Sequence, residues 1–164
     1  MNAARIVSKS LLISPELLII LLGLGIWTWW PTPLEYLAGQ AATAGEVLRF
    51  VGLLAVGLVA YDVAAVKSIL LPEDDRRHHL QHWPRYFELR VAALVGLFYA
   101  VLFAGSGVIA SFLDWTKPTA AHAALLLVAV VGGLTTAGTL FLAQLSIGIL
   151  LRKHTGTGAN GLRS

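Results

Sequence analysis

The sequence predicts an all-α, polytopic membrane protein: a four-transmembrane-helix bundle with both termini on the cytoplasmic side. Three observations carry that expectation. Apolar residues make up 57% of the 164 residues and charged residues only 13%, about half the roughly 25% typical of soluble domains. Uncharged runs such as Leu17 to Leu34 and Ala120 to Leu151 are as long as the ~20 residues a helix needs to cross about 30 Å of hydrocarbon. The basic residues lie beside these runs and favour one side of them, so the pI near 9.5 reads as membrane orientation and not as a nucleic-acid face.

The chain divides into an N-terminal cytoplasmic or interfacial segment (1–13), a four-helix transmembrane domain (14–152) and a flexible cytoplasmic tail (153–164). Arg5 and Lys9 sit one turn apart in the first segment, which suits a short amphipathic stretch in the interface. The first span, about 14–30, has a clear start: Ser14 as cap, Pro15 at the first helical position, and Glu16 at the positive end of the helix dipole. It stops before Pro31 and Pro33. Pro15 to Trp30 covers only about 24 Å, so this crossing is short: either the bilayer adapts or Leu11 to Ile13 dip in from the N-terminal side. A signal peptide is the competing reading, but the run ends in Trp27, Trp29, Trp30 and Pro31 where small residues would be needed.

The second span, about 44–71, opens on Thr43-Ala44-Gly45-Glu46, which has capping-box spacing, and halts at Pro72. The third covers about 86–113 and the fourth about 119–151. Asp114 to Lys117 leave only a short link between these two, which makes them a tight antiparallel hairpin. Ten of the twelve Lys and Arg residues fall on the side shared by the termini and the 72–85 connection. Only Arg49 and Lys117 fall on the other, and this asymmetry sets the cytoplasmic side. Trp27, Trp29, Trp30, Tyr36 and Trp115 then mark the outer interface, with Trp83 and Tyr86 at the inner one.

Asp62 is the polar residue out of place. It lies nine residues before Leu71, roughly 13 Å from the boundary, where a carboxylate must face protein or water. Gln144, Arg90 and Thr139 are the expected partners, whereas Lys67, five residues on, should snorkel to the interface. The site reads either as an interhelical clamp or as a proton or cation site. The 72–85 loop carries Arg76, Arg77, His78, His79, His82 and Trp83 and reads as a partner-docking segment. His78 and His82 share a helical face but have no fixed third ligand, so no metal site is expected. Ladders of small residues at Ala129/Gly133/Ala137, Ala60/Ala64 and Ala100/Ala104 allow close helix approach in lipid. Gly132-Gly133 and Gly138 are expected to loosen the fourth helix locally.

Cysteine is absent, which removes disulfides and thiolate chemistry. Haem ligation, intramembrane proteolysis and phosphate cradling each lack the residues at matching depth or spacing. No enzyme activity and no cofactor are expected. The layout alone resembles several small bacterial membrane proteins, among them accessory subunits of larger complexes and membrane components of anti-phage systems. The leading expectation is a non-enzymatic inner-membrane subunit acting through the lipid bilayer, protein partners or homo-oligomerisation, with no nucleic acid bound. The alternatives are an oligomeric pore or membrane-sensing component of phage defence, and more weakly a small transporter subunit using Asp62.

Overall fold

The computed structural model describes residues 11–12, 14–44, 47–71 and 86–159, and among them the only regular elements are helices. These are α1 (Pro15–Trp29), α2 (Pro31–Thr43), α3 (Val47–Leu70), α4 (Tyr86–Phe112) and α5 (Ala120–Ala159). Three segments are long and apolar enough to cross a membrane: Phe50–Leu70, Tyr86–Phe112 and Ala120–Ile149. The pair α1 and α2, bent by 99°, makes a fourth only if both halves count as one span.

The first helix opens as its sequence implies. The Leu17 N–H donates to Ser14 Oγ at 3.2 Å, and Pro15 occupies the first turn, where a missing N–H costs nothing. It ends because Trp30 precedes a proline. The proline ring disfavours helical backbone at the residue before it, and Trp30 accordingly sits at φ −141°, ψ 63°. One expectation fails here. Residues 31–43, read as an outer link, form α2. Pro31 stops one helix and starts the next, since its fixed φ suits the first helical position. Thr43 consequently does not cap the following helix; it closes α2, its hydroxyl donating to the Gln40 carbonyl at 2.6 Å. Glu46, the other half of the expected capping box, lies outside the described residues.

The core is three helices that each pack against the other two: α3, α4 and α5. A close approach falls at Gly52 and Gly107, where the backbones of α3 and α4 meet and a Cβ on Gly107 would run into the Gly52 carbonyl oxygen. One turn earlier on α4, the fully buried Phe103 lays its ring against Gly132 of α5. Gly133 faces Ala55 and Leu58 of α3. The expected loosening of this helix is therefore replaced by packing: the glycine pair supplies two contact faces. Ala129 and Ala100 are likewise buried in the core.

The remaining helices lie against α5. Gly23 of α1 packs on Val128, and Leu34 and Ala38, one turn apart on α2, pack on Ala120, Ala123 and Ala124. At the end shared by α4 and α5, a short turn is held by its own side chains. Trp115 Nε1 donates to the Ala110 carbonyl at 2.9 Å, the Thr116 N–H donates to Asp114 at 2.9 Å, and Thr119 Oγ1 and His122 Nδ1 are 2.6 Å apart. At the opposite end the Tyr86 hydroxyl donates to the Ile69 carbonyl at 3.0 Å, tying the start of α4 to the end of α3. The last helix runs on to Ala159, past the expected end at Leu151 and into the stretch read as a flexible tail.

Two outcomes follow from this packing. Gly107→Ala should force α3 and α4 apart and cost about 1–3 kcal/mol, the usual penalty of overpacking, read as a lower unfolding temperature in detergent. In the 113–119 turn, the Thr116 backbone N–H and then its hydroxyl hold the Asp114 carboxyl below the usual carboxylate range, with His122 adding to the effect. The turn contact is therefore intact at neutral pH and lost as pH falls through that lowered value. The Thr116 amide resonance should move over that acid range, and in Asp114→Ala it should not.

Candidate functional site

Asp62 is placed by α3 in the middle of the three-helix core. Its side chain is 0% exposed. Gly133 packs on Ala55 and Gln144 bonds Ser68, so interpolation along the two helices sets Asp62 level with Gly138 to Leu140. One turn further along α3, Ala65, Val66 and Ile69 pack with Ala93 of α4 and Leu140 of α5. Neither carboxylate oxygen of Asp62 has a hydrogen-bond partner among the described residues.

The expected partners of Asp62 are all engaged elsewhere. Gln144 Nε2 donates to Ser68 Oγ at 2.8 Å, six residues further along α3 and hence about 9 Å from Asp62 along the axis. Arg90 lies near the start of α4, its guanidinium 5.7 Å from the Tyr86 ring centroid. Thr139 is at the right level but turns toward α1, where its hydroxyl donates to Glu16 at 3.1 Å and to the Thr136 carbonyl at 2.8 Å. The interhelical clamp expected from Asp62 is therefore not formed in this arrangement. Lys67 is exposed.

The carboxylate that does clamp two helices is Glu16. It is only 4% exposed, and its bond to Thr139 joins the first turn of α1 to the middle of α5. Its place at the helix start made it look like a dipole partner alone. A usable signal was present: the body of α1 is short and apolar, so its first turn had to enter at the depth of its neighbours. Tyr99 reinforces this entry, its hydroxyl donating to the Leu11 carbonyl at 3.2 Å while its ring stacks on Phe103.

Glu16 opens onto a groove of about 290 Å³ lined by Ser14, Pro15, Leu89, Val95 and Thr139 among others. Ala93, Gly96 and Leu140 also line it, and Ala93 and Leu140 belong to the packed cluster beside Asp62. Among the described residues, no three His, Cys, Asp or Glu side chains converge on a common point. Arg76, Arg77, His78, His79, His82 and Trp83 of the 72–85 connection lie outside the described residues.

Replacing Glu16 separates its two contributions. Glu16→Gln keeps an acceptor for the Thr139 hydroxyl and should leave α1 seated. Glu16→Ala removes it and should cost about 1–2 kcal/mol, seen as faster proteolysis around Ser14 in detergent. No protein-family model, curated protein or solved structure matches the chain.

Proposed function

We propose that the chain is a four-crossing membrane protein with both termini on the cytoplasmic side, working as a non-enzymatic subunit of a cell inner membrane. It would act by docking on other proteins or on its own copies. The observation that carries this reading is the fate of the small-residue ladders. Those of α4 and α5 are used inside the subunit, with Ala100, Ala129 and Gly133 buried. The ladder of α3 points outward: Ala60 and Ala64 are exposed, as is Gly57 in line with them, which has nothing within 4 Å of the position a Cβ would take. In lipid, where tails are as apolar as side chains, such a face lets a second helix approach closely and gain dispersion energy.

The four-crossing topology is supported by the combined length and hydropathy of α1 and α2 and by the ten-to-two distribution of Lys and Arg. It is also supported by the shared end at which α3 finishes and α4 begins, tied by Tyr86. A pore formed between subunits and lined by Asp62 has less support, because that side chain faces the interior of a single subunit.

The test is assembly in mild detergent. The purified chain should run as an oligomer or retain another chain, and Gly57→Leu and Ala64→Leu should each reduce that association at least several-fold without lowering expression. A lone monomer in mild detergent, or assembly indifferent to both bulky substitutions, would count decisively against this reading. Ala129→Leu serves as the contrast: it should destabilise the subunit itself, because that position is 0% exposed.

A further inference from the structure

We propose that Asp62 is a proton-binding site: the α3–α4–α5 core closes around its neutral carboxylic acid, and loss of that proton opens the core. The side chain is 0% exposed, and both oxygens lack a hydrogen-bond partner among the described residues. An anion in that position would have neither water nor donors around it, the costliest way to bury a charge.

The charged and titratable groups of the surrounding helices do not compensate it. On α3 itself, Tyr61 and Lys67 are exposed. On α4, Glu88 is exposed, Arg90 sits over Tyr86, Tyr86 bonds Ile69, and Tyr99 bonds Leu11. Between Ala120 and Ile149, α5 carries only His122, at the far end beside Thr119. Glu16 of α1 lines the groove and bonds Thr139.

A proton fits this setting better than a metal ion. Hard cations need several oxygen ligands, mostly carboxylates, and no second or third carboxylate or imidazole converges on Asp62 among the described residues. A carboxylic acid needs one acceptor for its O–H. The carbonyl of the preceding helical turn can serve, as it does for the hydroxyls of Ser68, Thr135 and Ser146.

The groove beside Glu16 supplies the route. Ala93 and Leu140, which line it, also belong to the cluster that packs on Ala65, Val66 and Ile69, one to two turns along α3 from Asp62. On deprotonation the O–H bond of Asp62 breaks and the proton passes to water in the groove. The carboxylate left behind draws water into the core and separates α3 from its two neighbours. The core is thus closed when Asp62 is protonated and open when it is not.

The experiment uses the full chain in detergent or nanodiscs. In infrared difference spectra at neutral pH, the carbonyl band of a protonated carboxylic acid should be lost in Asp62→Asn and kept in Glu16→Gln. If Asp62→Asn does not fold, carboxyl-¹³C aspartate in the unmodified chain gives the same information: one of the four aspartates should be un-ionised at neutral pH. Opening is read by thiol labelling, which is site-specific because the chain has no cysteine. Labelling of Ala65→Cys, normalised to an exposed cysteine so that thiolate formation is divided out, should rise several-fold as pH is raised, and should stay flat when Asp62→Asn is added. An ionised Asp62 at neutral pH overturns the proposal, and so does labelling that is insensitive to pH or rises equally with Asp62→Asn present.

Discussion

The backbone contact between Gly52 and Gly107 is the constraint on which the rest of the bundle depends. Inside hydrocarbon, burying an apolar side chain against protein gains little over leaving it against lipid, so helices associate through close packing and dispersion. Two glycines at one crossing bring α3 and α4 together at backbone distance. That approach leaves a narrow trough between them, and α5 fills it with Ala129 and Gly133 toward α3 and α4, and with Gly132 toward Phe103. Gly52 and Gly107 oppose each other through backbone, Gly132 is opposed by the Phe103 ring, and Gly133 by Ala55 and Leu58.

The first two helices depend on this core without belonging to it. They pack on α5 through Gly23 and through Leu34 and Ala38, and the polar start of α1 is fastened by Glu16, Thr139 and Tyr99. The break at Trp30 follows from Pro31, and so does the new direction of α2. A short, proline-bounded helix can thus be seated part-way down a longer one only because its first turn brings its own cap and a hydrogen-bonded carboxylate. The groove beside Glu16 is a consequence: α1 begins above the start of α4, so it leaves the flank of α4 from Leu89 to Gly96 partly uncovered.

Small residues and carboxyl groups therefore divide between inside and outside in a way that bears on function. Two ladders are consumed by folding and one, on α3, is left facing outward. One buried carboxyl is bonded and borders a groove, whereas the other is walled in and has no partner. The same helix, α3, carries both the outward ladder and Asp62. A movement of α3 relative to α4 and α5 would alter the surface it presents to a neighbouring chain, which links the proposed docking face to the proposed proton site by a physical route.

Much of the architecture was legible in the residues alone. Charge-free length located α3, α4 and α5, Ser14-Pro15 placed the start of α1 to the residue, and the depth of Asp62 marked it as exceptional. These features are local, governed by transfer from water and by caps within one turn of the chain. The tertiary structure decided the others. Pro31 read as a stop, and only the packing of Leu34 and Ala38 on α5 shows that it also starts a helix. Glu16 read as a dipole partner, and Asp62 as the residue that would bond Gln144, Arg90 or Thr139. Which side chains meet across helices depends on their axial offset and rotation, and these are set by the glycine contacts between distant parts of the chain. An offset of a few residues gave Gln144 to Ser68, the rotation of α5 gave Thr139 to Glu16, and Asp62 was left enclosed without a partner.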